Sequence, residues 1–210
     1  MALTKLNNKA VANVTTLPVA LGDMVFLAKQ SITSPVSSVE FVHGSGGVDF
    51  TSYKEYIFYL INLHHNSNSE PDITVNFSTD AGANYNVTKT TTSFRAYHGE
   101  NDSGGVLQYY TPTDLAQSTG NQYLSFNSGN ANDEAMSGYL QLFNPSSTVF
   151  VKHFMGIISE VHGLPRSNIN HFAGYCNTTS AIDAVRFNGE YAEGTASTID
   201  DGTILLFGIN

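Results

Sequence analysis

The sequence predicts an all-β protein: an antiparallel β-sandwich of jelly-roll type, with a barrel as the structural alternative. Runs rich in β-branched and aromatic residues alternate between polar and apolar positions, as in "AIDAVRF" at 181–187, and this is the two-residue period of a pleated strand. Turn residues recur at intervals of about 8–12 residues, whereas no segment of core length has a helical period. About twelve strands follow from this spacing, and we expect one domain over residues 23–210.

The first 22 residues differ from the rest of the chain. The stretch "LTKLNNKAVANVTTLPVALGD" has no sustained period, and it contains no acidic residue before Asp23. One interpretation is a frayed terminus, but its aliphatic side chains would be wasted in solvent. We therefore predict a docking arm at 1–22, ordered by a neighbouring subunit or by a docking site on a larger assembly. The residues predicted to dock are Leu3, Lys5, Leu6, Lys9 and Val11.

From Met24 onward the sequence predicts strand after strand, beginning with "MVFLAKQSI" and "SSVEFVHG". The run "EYIFYLINLHH" at 55–65 is apolar on both faces, which predicts a central strand covered on each side. "TDAGANYN" predicts a hairpin connection to the long strand "VTKTTTSFRAYH". The stretch 113–117 is either a short helix capped by Thr113 or a loop.

The second half of the chain predicts a hairpin and three closing strands. In "GYLQLFNPSSTVFVKHFMGII" Pro145 sets the turn, and the return strand is expected to include Val149. "EVHGLPRSN" predicts an exposed loop, and the closing strands are expected at 171–177, 181–187 and 202–209. Because a terminus that ends in an apolar strand is normally tied into a sheet, we expect the last strand to belong to the core.

Composition narrows the function classes. Only 13% of the residues are charged, against roughly 25% in ordinary domains, so few ions would need desolvation where this surface meets a neighbour. The net charge of −9 and the lack of a basic stripe argue against binding nucleic acid. No run approaches the roughly 18 apolar residues of a membrane span, and the start lacks the apolar core of a signal peptide. We therefore expect synthesis in a cytoplasm and no membrane insertion.

The sequence predicts no metal site and no cofactor. His64 and His65 are expected to point to opposite faces of a strand, so that they cannot share one ion. Acidic loops around Asp80, Asp102 and Asp133 offer oxygen ligands for calcium, but none matches the spacing of a calcium loop, and solvated turns are the preferred interpretation. The single Cys176 excludes an intrachain disulfide and is expected to be a small buried side chain.

The sequence also predicts a protein without enzymatic activity. It contains no nucleophile elbow, P-loop or dinucleotide fingerprint. Its acidic residues are scattered through loops, and no pair of carboxylates is set apart by an apolar neighbourhood, as a glycosidase would require. A polysaccharide-degrading β-sandwich enzyme is kept only as a distant alternative.

Several segments together resemble a known family: "TSAIDAVRFNG", "DDGTILLFGI", "YKEYIFYLINLH", "TTTSFRAYH" and "GYLQLFNPSSTVFVKHFMG". They are similar to a β-rich virion structural protein, of tail or fibre type, from marine tailed phages and cyanophages. The resemblance spans most of the chain and contains no active-site motif. It implies a virion component, assembled in the bacterial cytoplasm with other virion proteins. A homo-oligomer is expected, and a trimer suits a fibre. A capsid decoration or cement protein of the same fold is the alternative.

A surface component of this kind can also bind host-surface glycans through aromatic and acidic side chains near its loops. The candidate residues are Tyr85, Tyr97, Asp102, Tyr109, Tyr110, Tyr123 and Asp133. The alternative is that these tyrosines pack the edge of the sandwich or a neighbouring subunit.

Overall fold

The computed structural model describes residues 24–65, 72–190 and 196–209, and in these ranges the protein is all-β. The strands are β1 Met24–Ile32, β2 Ser38–Val42, β3 Glu55–His64, β4 Asp72–Ser78, β5 Lys89–Gly99, β6 Val106–Tyr109, β7 Gln122–Tyr123, β8 Met136–Phe143, β9 Lys152–His162, β10 Arg166–Cys176, β11 Ala184–Glu190, β12 Ala196–Ser197 and β13 Asp201–Ile209. The predicted docking arm at 1–22 lies outside the described residues.

The strands form two antiparallel sheets that pack against each other. The large sheet has eight strands in the order β1-β13-β3-β8-β9-β10-β5-β6, and the small sheet has the order β12-β11-β4-β7, with β2 also paired to β11. Aromatic rings close the space between them, since the Phe58 ring contacts Phe41 at 5.2 Å and Phe187 at 5.4 Å between centroids. The predicted β-sandwich is therefore confirmed, while the jelly-roll connectivity stays a prediction.

The closing strand β13 belongs to the core, as predicted. It lies between β1 and β3, with Phe207 opposite Phe26 on one side and Ile57 on the other. Its inward side chains Ile204 and Leu206 are fully buried. The apolar alternation of the last residues is thus explained by pairing on both edges of the strand.

The predicted hairpin at "TDAGANYN" is wrong. β4 belongs to the small sheet and β5 to the large one, so residues 79–88 cross between the sheets instead of reversing within one. The segment packs Tyr85 and Val87 into the interior as it crosses. Its Asp, Gly and Asn residues do make a turn, with Ala81 and Gly82 at positive φ, but turn chemistry alone does not specify which sheet receives the next strand.

The boundaries around β9 and β10 also differ from the prediction. Most of the predicted loop "EVHGLPRSN" is strand, because β9 extends to His162 and β10 begins at Arg166. Three polar residues of this stretch, Glu160, His162 and Asn168, are buried, and the Asn168 amide donates to the Glu160 carboxylate. The return strand of the β8–β9 hairpin starts at Lys152, so that Val149 lies in the preceding loop.

Two local predictions concern turns. The predicted turn at Pro145 is confirmed, since the Ser147 amide donates to the Asn144 carbonyl at 3.0 Å. At the segment of undecided type, a single 3-10 turn spans Thr111–Thr113 and the chain continues as a loop. Thr113 therefore ends a helical turn instead of capping one.

The two ends of the large sheet differ in what they carry. At one end, called here the Met24 end, Met24, Ile209 and Glu55 lie side by side in register. At the other, called the Gly99 end, Gly99 lies beside Arg166 in register, and β3 finishes with His64 opposite Asp201. Residue 24, where the N-terminal segment joins the sheet, thus lies at the opposite end of the strands from the loops that follow Gly99.

Candidate functional site: the outer face of the large sheet

The large sheet has one face against the small sheet and one face that points away from it, called here the outer face. On β3, Tyr56, Phe58 and Leu60 are buried between the sheets. Their neighbours Ile57 and Tyr59 belong to the outer face and are only half-buried, as the alternating burial pattern of β3 shows. The prediction that β3 is covered on both sides is therefore wrong for the described residues: its second apolar face is open.

The same outer-face position is apolar or aromatic on nearly every strand. The row in register across the eight strands reads Lys29, Leu205, Tyr59, Tyr139, Ile157, His171, Phe94 and Tyr109. Only the first of these carries a permanent positive charge. The rings are in mutual contact: the Tyr59 centroid lies 6.5 Å from that of Tyr139 and 5.9 Å from that of Phe207.

The next row along the outer face carries no charged side chain. It reads Phe26, Phe207, Ile57, Gln141, Met155, Ala173 and Thr92. Phe26 is 54% exposed. Eight strands about 4.8 Å apart span roughly 34 Å, so two adjacent rows cover several hundred Å². Exposed apolar patches of this size mark interaction surfaces on soluble proteins.

A hollow of about 190 Å³ lies within the outer face. It is walled by Phe94, Tyr139, Met155 and His171 and contains Ala173. The small side chain of Ala173 lies between Met155 on β9 and Thr92 on β5, which leaves the space open. Pockets for small-molecule ligands are typically about 300–1,000 Å³, so this hollow has the size for a single side chain.

Three of the predicted glycan-facing tyrosines are engaged by arginines. The guanidinium carbon of Arg95 lies 3.6 Å from the Tyr110 ring centroid, and that of Arg166 lies 4.3 Å from the Tyr97 centroid. Tyr85 is buried beneath Arg186 at 4.2 Å. Each of these rings offers one face to a cation, a favourable arrangement, and that face is unavailable for stacking on a sugar.

The remaining candidates lie in separate places. Tyr109 is exposed on β6, within the outer face, and its hydroxyl donates to Asp114. Tyr123 pairs with Thr74 at the edge of the small sheet. The structure therefore does not gather the seven predicted residues into one rim.

The two predicted acidic residues are exposed at the Gly99 end of the large sheet. Asp102 lies 3.4 Å from the His98 ring. Asp133 lines a polar hollow of about 610 Å³, together with Asp200 and Asp201. Neither is surrounded by aromatic rings in these positions.

A buried polar network around Glu160 was not predicted from the sequence. The Glu160 carboxylate accepts hydrogen bonds from the side-chain amides of Asn168 and Asn170, from the Ser128 hydroxyl, and from the Phe126 amide. Burial raises the pKa of this carboxyl, while the hydrogen bonds oppose the shift. A buried carboxylate with this many donors holds strands together. The sequence feature that indicates this network is the alternation of polar residues in "SNINH" at 167–171. A polar stretch of this kind predicts a loop unless the buried Glu160 is known to lie opposite it.

A second cluster of buried polar side chains lies at the Met24 end of the large sheet. Cys176 is opposite Lys89 on β5 and Lys152 on β9, and all three are fully buried. The Lys89 ammonium donates to Asn76 Oδ1 and the Val87 carbonyl, both at 2.7 Å. Burial raises the pKa of Cys176 to about 12 and lowers that of Lys89 to about 8. The prediction of a buried Cys176 is confirmed, and the lysines tie the adjoining loops by binding carbonyl oxygens.

One prediction about the histidines is wrong. The His64 and His65 rings lie almost parallel with centroids 6.0 Å apart, and do not point to opposite faces. The reason is that β3 ends at His64, so the pleat no longer governs His65. His64 Nδ1 contacts Asp200 Oδ1 at 2.6 Å. Within the described ranges, no group of three or more His, Cys, Asp or Glu side chains is arranged to hold a metal ion.

No family model matches this chain. No curated protein and no solved structure matches it either. Among the helices that the described residues form, none is long and apolar enough to cross a membrane. The feature of the described surface that bears on function is the open, charge-poor outer face.

Proposed function

We propose that this protein is a structural component of a tailed-phage virion, in the tail or fibre apparatus, and that it acts by assembly. The observation that carries the proposal is the outer face, where one row across all eight strands of the large sheet and a second row across seven of them contain a single permanent charge, Lys29. Burying apolar surface contributes about 25 cal/mol per Å², and a face with so few ions loses little to desolvation. The resemblance of the sequence to virion structural proteins of marine phages is the reason for placing this surface in a tail or fibre apparatus.

The proposed arrangement uses the two ends of the large sheet differently. The N-terminal segment, residues 1–22, joins β1 at the Met24 end and docks the protein on the particle. The acidic loops with Asp102 and Asp133 lie at the Gly99 end, away from that attachment, and face the host envelope. Each copy buries its outer face against a different surface of the next copy, and a head-to-tail contact of this kind closes into a ring such as a trimer when the rotation allows.

Contact with host glycans is the finer part of the proposal. The engaged tyrosines leave Tyr109 and Tyr123 as the aromatic candidates, and the hollow beside Asp133 offers several carboxylates and amides as hydrogen-bond acceptors and donors. A glycan array with the purified protein tests this part. Loss of binding in Asp133→Ala supports contact through the loops, whereas unchanged binding, or no binding by the wild-type protein, removes the glycan from the proposal.

The experiment that tests the virion role is incorporation into particles. Purified phage particles labelled with antibody against this protein should carry it on the tail or fibre. A variant lacking residues 1–22 should remain folded, by circular dichroism, and be absent from particles. Label on the capsid surface would favour the decoration or cement protein, and absence of the wild-type protein from particles would contradict a virion role.

A further inference from the structure

The loop between β8 and β9 exposes two large apolar side chains. Val149 is 70% exposed and Phe150 is 69% exposed, next to each other at the Met24 end of the large sheet. Residues 144–151, "NPSSTVFV", contain no charged side chain. The Lys54 ammonium donates to Asn144 Oδ1 at 3.5 Å where the loop begins. Isolated exposed aliphatic residues are common on proteins, but a neighbouring valine and phenylalanine in a loop without charged residues form a small apolar knob.

The backbone of this loop is fixed. The Asn144 amide donates to the Lys54 carbonyl, and the Ile182 amide donates to the Pro145 carbonyl at 2.9 Å. The Ser147 hydroxyl accepts from the amides of Val149 at 3.2 Å and Phe150 at 3.0 Å. These bonds hold the knob in one orientation before any partner arrives, and such preorganisation lowers the entropy lost on binding.

Directly after the knob the chain is anchored again. Lys152 is fully buried, and its ammonium donates to the carbonyls of Thr178 at 3.2 Å and Ser180 at 2.5 Å. The exposure of Phe150 therefore does not come from a loose loop. Because its side chain is exposed, the Phe150 ring does not occupy the hollow in the outer face of its own copy.

The hollow in the outer face has the complementary features. Its volume of about 190 Å³ suits one side chain, and its walls include Phe94, Tyr139, Met155 and Ile157. His171 forms a further wall, stacked on Phe94 with 4.6 Å between ring centroids. Desolvated apolar pockets that receive an aromatic anchor are the usual centre of a protein interface.

We propose that the Val149–Phe150 knob of one copy fills the hollow in the outer face of a second copy. The inference rests on the proposed function, because it supplies the contact between copies that a tail or fibre component requires. Knob and hollow are different surfaces, so the contact is head-to-tail, and repeating it closes a ring when the rotation allows. The predicted trimer is one such ring.

Sedimentation equilibrium of the purified full-length chain tests this contact. The wild-type protein is expected to self-associate. Phe150→Ser removes the knob and Ala173→Leu fills the hollow, so each variant should raise the dissociation constant of self-association roughly tenfold or more. Leu164→Ser is the matched control, because it removes an exposed apolar side chain from a turn at the Gly99 end. A monomeric wild-type protein, or an equal effect of Leu164→Ser, would overturn the inference.

A double-mutant cycle makes the pairing specific. If the two sites meet, the double variant Phe150→Ser/Ala173→Leu should associate no more weakly than the weaker single variant, because one lost contact cannot be lost twice. Additive effects would show that the two sites act separately and would contradict the pairing. Circular dichroism melting of each variant confirms that the fold is retained.

Failure of this contact and failure of the virion role give different results. If the wild-type protein is incorporated into particles and Phe150→Ser is incorporated equally well, the knob is not the contact while the virion role stands. If the wild-type chain associates in solution through the knob but is absent from particles, the contact stands without the virion role.

Discussion

Phe94 on β5 and His171 on β10 stack face to face in the outer face, with ring centroids 4.6 Å apart and planes within 6°. They are directly opposite each other in the sheet register and form one wall of the hollow. The pair shows how the outer face is organised: aromatic side chains contact each other across strands and still leave their edges open. Such a surface is ordered without a partner and apolar enough to bind one.

Truncation of this pair should weaken association without unfolding the protein. Phe94 is partly exposed, so Phe94→Ala should lower the free energy of unfolding by about 1–3 kcal/mol, the worth of an aromatic pair together with that of the buried part of the ring. The same change removes a wall of the hollow and should weaken self-association roughly tenfold. Urea unfolding and sedimentation equilibrium measure the two effects separately. A large loss of stability with unchanged association would contradict this division.

A positive charge in the centre of the outer face should prevent copies from joining. Tyr59→Lys places an ammonium between Leu205 and Tyr139 in the row, and burying it at an interface would require desolvation of an unpaired ion. We expect a folded monomer whose melting temperature is lowered moderately, because the Tyr59 ring also contacts Tyr139 and Phe207. Thr33→Lys is the control, because Thr33 is exposed outside both rows. If Tyr59→Lys still associates like the wild-type protein, the outer face is not the contact.

The Glu160 network should be essential for stability. Glu160→Ala leaves the amides of Asn168 and Asn170, the Ser128 hydroxyl and the Phe126 amide without their acceptor. Each unsatisfied buried donor costs about 1–3 kcal/mol, so a loss of at least about 3 kcal/mol in the free energy of unfolding is expected. The exposed Glu100→Ala should change it by less than about 0.5 kcal/mol. Chemical denaturation of both variants checks the difference.

Buried histidines should make the fold sensitive to acid. Burial lowers the pKa values of His65 and His162 from 6.5 to about 4. Between these values the unfolded chain binds more protons than the folded one, so stability falls as the pH falls from about 6.5 toward 4. Each histidine contributes at most about 3 kcal/mol to this loss.

The raised pKa of Glu160 acts in the opposite direction, so the informative comparison is between variants. His162→Gln should show a smaller loss of stability between pH 7 and pH 4.5 than the wild-type protein. Urea midpoints at the two pH values measure it. An equal loss in both proteins would show that His162 does not contribute to the acid sensitivity.

Cys176 should be unreactive in the folded protein. Its side chain is fully buried and its pKa is raised to about 12, so neither access nor the thiolate form is available at neutral pH. A thiol reagent should label the native protein only as fast as it unfolds and should label the protein in denaturant at once. Rapid labelling under native conditions would contradict the burial of Cys176.

Local patterns in the sequence predicted the strands better than their partners. β1 and β13 were located almost to the residue, because alternation is a property of each strand alone. The turn residues at 79–88 predict a hairpin, but the segment crosses between the two sheets. The same residue types favour both kinds of connection. The segment 160–168 was mistaken for a loop, because the polar side chains of Asn168 and Glu160 find each other only in the folded sheet.

Local sequence patterns are likewise insufficient to predict which side chains are exposed, because exposure depends on contacts between strands. The two apolar faces of β3 predict burial on both sides, whereas one of them belongs to the open outer face. Tyr97 and Tyr110 looked exposed because they lie beside polar loops, yet arginines from their own and neighbouring strands contact their rings. Such contacts depend on register across strands, which a single sequence does not specify. The hollow and the knob at Phe150 depend on it as well.

The central claim is that the outer face of the large sheet joins copies of this protein in an assembled particle. A density map of the intact virion, at a resolution that separates strands, tests it directly. We predict that protein density covers Tyr59, Ile57 and Phe94, contributed by a second copy whose Phe150 lies in the hollow. A map in which this face is bathed in solvent would contradict the account.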